Sequence, residues 1–379
     1  MKKKSSTGHL ELIRRINRSL ILNMVKEKQP ISRAQMAKAL GLSKTTVSSI
    51  VDELIQKRLI VEYGDACTGT GAGRPSIMLG FNPKSSYCIG VDMASAKTRM
   101  LLTDLSGEIL FEKKIATVSQ IDQISQAIEA FLAEHSIRME MIFGMGVGVS
   151  GDVTAEGVVI SSRAFRWNHL PFQALLKQRF PFPVYVGNGV NLAALGERWL
   201  GSGKQVDDMV YVRIGSGIGG ALICNGQLVL GTHGSAGEMG YFLESRDLEL
   251  GNINQKGIPG VLERKCSGTA LARYGCSPEE LFSSYSQGNP EVVLTVERFI
   301  REISVAIANA VSLLNPAKVV IGGDISEYMA PVIQRIQDEV RSMTPIQTDI
   351  SLACLGGRAA ALGAVDFVMT RIEQEDIAI

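Results

Sequence analysis

Between Ser43 and Ser49 the chain crowds together Ser43, Lys44, Thr45, Thr46, Ser48 and Ser49, short hydroxyls and one ammonium. Interleaved with them, Val47, Ile50, Val51 and Leu54 recur at i, i+3, i+4 and i+7. That spacing puts the apolar set on one face of a helix and the polar set on the other. Short donors reach base edges, and the positive helix N-terminus with its lysine meets phosphate, so the chemistry on offer is that of a helix laid in the DNA major groove. A solvated face on an ordinary helix is the alternative. The neighbouring residues weigh against it.

The elements that must position this face are legible on either side. Ser32 with Gln35 has capping-box spacing and opens a short helix, Arg33 adds a cation at its start, and Gly41 suits its C-terminus. Ser43 caps the second helix. An approach helix carries Ile13, Ile16, Leu20 and Met24, with Ile21 and Val25, as the stripe expected to pack behind this pair. Strands from Leu59 and from Ser76 to Phe81 flank a TGTGAG turn and predict a β-wing. In its tip, Gly73, Arg74 and Pro75 offer an extended arginine suited to a narrow A·T-rich minor groove, or simply a turn. Residues 1–80 hold 14 of the 39 cations and 6 of the 38 anions, so a nearly neutral chain carries a basic head on an acidic body. Such asymmetry is the footprint of a polyanion partner, and double-stranded DNA is the one expected.

With 379 residues, 45% hydrophobic and 20% charged, the chain has material for two or three globular domains. Its cysteines, Cys67, Cys88, Cys224, Cys266, Cys276 and Cys354, are scattered without CxxC spacing. With neither a signal peptide nor a long apolar run, the expectation is a reduced, soluble, cytoplasmic protein without membrane contact.

After a linker at 82–86, strands are predicted at Tyr87–Asp92, Thr98–Asp104, Gly107–Lys113, Met141–Val149 and Val184–Val186, with helices at Gln120–Glu134 and Leu170–Arg179. A second round starts at Asp208 with two strands around a Gly-rich turn and a tight turn at Asn225-Gly226. Helices follow near Ser267–Tyr274, Pro278–Gln287, Pro290–Leu314, Pro331–Ser342 and Ala359–Thr370, with a strand at Lys318–Ile321. The body is expected to be two related α/β halves with a cleft between them. Gly215, Gly217 and Gly220 match GxGxxG, but the dinucleotide fingerprint needs a helix at its last glycine, and Ala221–Cys224 reads as strand.

Several stretches then carry a family likeness: GVGVSGDVTAEG at 146–157, VGNGVNLAALGE at 186–197, IGSGIGG at 214–220, GTHGSAGEMG at 231–240 and VVIGG at 319–323. In order and spacing they resemble the ROK family of repressors, open reading frames and kinases. With the head in front, the chain resembles its repressor branch, that of the xylose and N-acetylglucosamine repressors. The helices and wing of the head predict a winged helix-turn-helix over 1–81, and the resemblance implies, over 87–379, a two-lobed actin-like, hexokinase-like body. It further implies a sugar or sugar-phosphate effector and a homodimer or higher oligomer. Matched ligand positions are Asn188, Glu238, Tyr241 and Glu263, with Ser150 and Gly151 approaching from the first lobe.

The departures from the family pattern concern catalysis and metal. An Asn-Asp pair in the family's kinases falls on Asn188 and Gly189, and glycine cannot take a proton from a sugar hydroxyl. The phosphate element at 92–97 keeps Asp92 but has Ala94 where glycine is expected. The family's zinc ligands fall on Tyr241, Asn254, Lys256 and Val261, so no metal is expected and the loop is expected to be held by packing alone. The sequence therefore predicts a non-enzymatic transcriptional regulator of carbohydrate use, a repressor needing no cofactor. A sugar kinase with a regulatory head, or a regulator controlled by a protein partner, stand as alternatives.

Overall fold

A computed structural model describes residues 4–65, 76–255 and 257–375. The head comprises α1 (Lys4–Lys28), β1 (Ile31–Ser32), α2 (Arg33–Leu40), α3 (Lys44–Gln56), β2 (Ile60–Asp65) and β3 (Ile77–Phe81), the strands pairing in the order β1-β3-β2. The local signals act as chemistry requires. Ser32 and Gln35 close a reciprocal capping box, Gly41 takes the left-handed conformation at φ 65°, and the Ser43 side chain accepts from the Thr46 amide at 3.1 Å. Val47, Ile50, Val51 and Leu54 are all buried.

The α1 stripe departs from expectation. Ile21 and Val25 are buried beside Leu22, but Ile13, Ile16 and Leu20 are 46%, 51% and 44% exposed. Here α1 meets α3 instead through ion pairs: the guanidinium groups of the half-buried Arg18 and of Arg14, which stays exposed, each lie 3.1 Å from Glu53 on α3. These ion pairs occupy the place that apolar contacts were expected to fill.

The first lobe contains β4 (Tyr87–Met93), β5 (Lys97–Asp104), β6 (Ile109–Ala116), α4 (Ile121–Glu134), β7 (Ile142–Val149), β8 (Asp152–Val153), β9 (Val159–Ser162), β10 (Trp167–Leu170), α5 (Phe172–Lys177), β11 (Val184–Asn188) and α6 (Gly189–Leu200). The second contains β12 (Met209–Ile214), β13 (Ile218–Cys224), β14 (Gln227–Val229), α7 (Ser245–Glu249), α8 (Val261–Cys266), α9 (Gly268–Leu271), α10 (Pro278–Ser286), α11 (Pro290–Leu314), β15 (Lys318–Gly322), α12 (Ile333–Met343), β16 (Asp349–Leu352) and α13 (Ala359–Glu375). The two main sheets, β11-β7-β4-β5-β6 and β14-β13-β12-β15-β16, share one plan. In each, an antiparallel meander of three strands continues into two parallel strands. The expected pair of related halves is therefore present. β13 runs straight through Ala221–Cys224, so the Gly-rich turn opens no helix.

The sequence reading had passed over the β8-β9-β10 hairpins, β16 and α6. Of these α6 matters most, because it crosses α13 between the lobes. A side chain at Gly196 would sit 2.1 Å from the Ala359 carbonyl, and one at Gly363 would sit 1.6 Å from that of Leu192. Only glycine permits so close a crossing. From there α13 continues to the head, where Val365, Val368, Met369 and Ile372 share one core with Ile21, Val25, Leu54 and Phe81. Lys26 of α1 closes that contact with an ion pair of 2.8 Å to Glu373.

Candidate functional site

On α3, Ser43, Lys44, Thr45 and Ser49 are exposed, with Thr46 and Ser48 half-buried. The Ser43 hydroxyl lies 2.8 Å from those of both Thr45 and Thr46, so this end of the helix presents a linked cluster of hydroxyls. Arg33 is placed otherwise. Its guanidinium donates to Asp52 at 2.8 Å and lies 3.3 Å from Glu62, so it braces α2 against α3 and β2 and its charge is offset by the head itself. Arg74, Gly73 and Pro75 lie outside the described residues.

In the body, the lobes enclose a cleft of about 260 Å³. Ser150, Gly151 and Asn188 line it, as expected, together with Asp92, Ala94 and Gly189. The Asn188 side chain is fully engaged by its own chain: its oxygen accepts from the Val190 and Asn191 amides at 2.7 and 3.2 Å, and its nitrogen donates to the Gly151 carbonyl at 2.9 Å. It caps α6 and holds the β7-β8 turn. Its part in a ligand site is thus to place Gly151. Across from it Arg213 lies 3.8 Å from Asp324, and burial beside these groups pushes the Asp92 carboxyl up to about 6 despite the opposing Arg213 charge.

Glu238, Tyr241 and Glu263 gather beside that cleft, and two residues the sequence reading missed complete the group. Arg163, from the turn after β9, donates to Glu263 on α8 at 3.3 Å, an ion pair from the first lobe to the second. Asp152 of β8 accepts from the Ser161 hydroxyl at 2.8 Å and places a further negative charge near Glu238. Burial, then the charges of Asp152 and Glu263, push Glu238 up to about 7. Burial also raises Glu263, against the pull of Arg163, and raises Tyr241, with help from Glu238. Three carboxyls, a phenol and a guanidinium at a lobe junction offer donors and acceptors to a polyol. The loop that carries Glu238 reaches it through Gly237, at φ 89°, where a Cβ would stand 2.5 Å from the Gly220 carbonyl. His233 is exposed on a neighbouring cavity that Asp152 also lines.

The zinc positions hold no zinc chemistry, since Tyr241, Asn254 and Val261 bring no thiolate or imidazole. Packing alone is nevertheless not what holds the loop. The Asn254 side chain donates to the Tyr241 carbonyl at 2.6 Å and accepts from the Val261 amide at 2.9 Å. One amide thus ties together three of the four positions where ligands would stand. The Arg264 guanidinium adds bonds to the Pro259 and Ile253 carbonyls.

Comparison with known proteins agrees with this architecture. Residues 88–371 match the ROK family, and residues 15–69 match the MarR family. The chain is 26% identical over 391 residues to the xylose repressor of Caldicellulosiruptor bescii, covering 96% of this chain and 98% of that one. Among solved structures, a ROK family transcriptional regulator that is a homolog of the Escherichia coli MLC protein has the same fold. It has a TM-score of 0.82 at 22% identity over 96% of this chain and 97% of the other. A ROK family glucokinase from Streptomyces griseus, solved with glucose and AMPPNP, superposes on the body alone: TM-score 0.65, 28% identity, 75% of this chain and 100% of the kinase. The duplicated sheets, the inter-lobe cleft, the GSAGEMG loop and these matches make the chain a member of the ROK family, carrying a winged helix-turn-helix of MarR type ahead of the family's two-lobed body.

Proposed function

We propose that this protein is a repressor of carbohydrate-use genes, which grips operator DNA with α3 and responds to a sugar or sugar phosphate held at the lobe junction. The observation that carries the reading is the course of α13. Ala359 and Ala360 at its start line the cleft, and Met369 and Ile372 near its end are packed into the core of the DNA-binding head. A ligand that favours one closure of the lobes acts on α6 and α13 where they cross, and α13 has no slack before the head. Ligand and DNA then oppose each other by linkage, each weakening the other by the same factor. Two copies would present two α3 helices to the half-sites of an operator, which is why a homodimer belongs to the proposal. The xylose repressor supports this reading through its likeness over almost the whole of both chains.

Within the cleft, position 189 bears only hydrogen. A Cβ there would lie 3.5 Å from the Val149 carbonyl and 3.6 Å from an Asp92 carboxylate oxygen, so a larger residue fits and glycine is no steric necessity. The proton acceptor that a sugar kinase needs there is absent by choice of residue, which supports a regulator over an enzyme. The test is binding of the protein to its own upstream DNA at two salt concentrations, with and without pentoses, hexoses, amino sugars and their phosphates. Specific binding that one of these weakens is the expected result. Indifference to the whole panel would overturn the effector, and sugar-dependent ATP turnover in a coupled assay would overturn the assignment as a non-enzyme.

A further inference from the structure

Next to the group at the lobe junction opens a second cavity, of about 440 Å³, walled by both lobes. The first lobe gives it Asp152, Thr154, Glu156 and Ile160 from the β8-β9 hairpin, and the second gives it residues 230–235, the loop after β14. The loop lies against the hairpin because residue 234 is glycine: at φ 75°, a Cβ there would stand 2.7 Å from the Val153 carbonyl of β8. The Ala236 amide donates to the Leu230 carbonyl at 3.1 Å and closes the loop, while the Thr154 amide, donating to the Val158 carbonyl at 3.0 Å, closes the hairpin. Asp152 belongs to both spaces. It lines this cavity, and its charge acts on Glu238 at the junction.

Resting on the reading of the junction as a sugar site, we propose that this cavity takes the second ring of an effector that is an uncharged disaccharide, whose first ring lies among Glu238, Tyr241 and Glu263. Small-ligand pockets measure about 300–1,000 Å³, so 440 Å³ is room for a further ring beyond the junction. The chemistry of the walls selects a neutral one. The described residues lining the cavity bring two carboxylates, Asp152 and Glu156, and neither lysine nor arginine, so a phosphate entering here is repelled with no cation to meet it but what His233 supplies. Hydroxyls meet partners instead: among the described residues the side chains of Thr232, His233 and Ser235 make no hydrogen bond, and Asp152 has acceptor capacity beyond its bond from Ser161. Ile160 and Leu230 add apolar wall for the C–H face of a ring. Such a ligand touches the β8-β9 hairpin and the loop after β14 at once, and so holds the lobes in one closure.

The experiment is calorimetric titration of the full chain with maltose, cellobiose, xylobiose, sucrose and trehalose, with glucose, xylose and fructose as the single rings and sucrose 6-phosphate and trehalose 6-phosphate as charged counterparts. One neutral disaccharide is expected to bind saturably, about tenfold or more tighter than its component sugars and than any phosphorylated form. Ser235→Phe, which fills the cavity, should lower that preference for two rings over one about tenfold, and Thr232→Val, which removes a hydroxyl at similar volume, should lower it less. Both positions are exposed, and should Ser235→Phe fail to fold, Thr232→Val still gives the readout. Single rings binding as tightly as every disaccharide, a phosphorylated disaccharide binding more tightly than its neutral counterpart, or a preference unaltered in the variants would overturn the proposal and leave the sugar-responsive repressor standing. No heat from any sugar would overturn both.

Discussion

On α3, Lys44, Thr45 and Ser49 stand exposed on a single capped helix, where the Thr45 hydroxyl lies 2.8 Å from that of Ser43. At the lobe junction, Asp152, Arg163, Glu238, Tyr241 and Glu263 come from four separate segments and press like charges together under partial burial. The first arrangement costs the fold little, because water serves those groups and, in the proposed complex, DNA would replace it. The second stores unfavourable electrostatics that a ligand can relieve. A surface that binds by exchange with solvent can be built on one element; a site that responds has to be built between elements that move.

This contrast can be broken most forcefully at the caps, since both regions have one. Asn188→Ala removes three hydrogen bonds, leaves the Gly151 carbonyl without its donor, and uncaps α6 where it crosses between the lobes. The expected loss is ~2–3 kcal/mol of body stability, together with the sugar response. Ser43→Ala, at an exposed cap, should cost only ~1 kcal/mol. Denaturant titration of both variants decides it, and equal losses would show that the cleft cap is no more than a helix end.

Glu238 gives the next largest effect. Its folded value of about 7 lies above the ordinary carboxyl value of 4.5. The folded state therefore holds this proton more tightly, and the stability it contributes is full below about pH 4.5 and lost as pH rises through about 7. After allowance for solvent screening at a partly exposed group, wild type should lose ~1–2 kcal/mol between pH 5 and pH 8 relative to Glu238→Gln. Parallel stability profiles for the two proteins would remove the stored repulsion from the account. Smaller again is Lys44→Ala, which should weaken operator binding by ~1 kcal/mol at physiological salt and reduce the slope of log affinity against log salt by about 1. An unchanged slope would mean that this ammonium meets no phosphate.

The same contrast explains what could be read from the sequence. Ser32, Gln35, Gly41 and Ser43 act within four residues of themselves, and each cap was legible because its partner is a near neighbour. Asn188, Glu238 and Glu263 were found through a family pattern; their own spacing says nothing of a shared junction. Arg163 was invisible to both routes, since its partner Glu263 is 100 residues away and the β9-β10 turn has no motif. The α1 stripe failed for a related reason: Ile13, Ile16 and Leu20 have helical spacing, but Glu53 on another helix draws Arg14 and Arg18 to the α3 side.

The smallest expected effect concerns Asn254, and it tests how a loop keeps its shape after losing metal ligands. The amide spans from the Tyr241 carbonyl to the Val261 amide, with the Arg264 guanidinium bracing Pro259 and Ile253 beside it. Asn254→Ala removes two of these bonds at a half-exposed position where water can replace one of them. The expected cost is therefore only ~0.5–1 kcal/mol, too little to unfold the body. Because Tyr241 adjoins Glu238 in the group proposed to hold the sugar, the variant should still weaken sugar binding, by more than its stability loss implies. Chelator treatment separates this clamp from a metal: EDTA should leave the melting temperature of wild type and variant unchanged. A chelator-induced drop in wild type would show a metal doing the work assigned to Asn254, and full sugar affinity in Asn254→Ala would show that the loop needs neither.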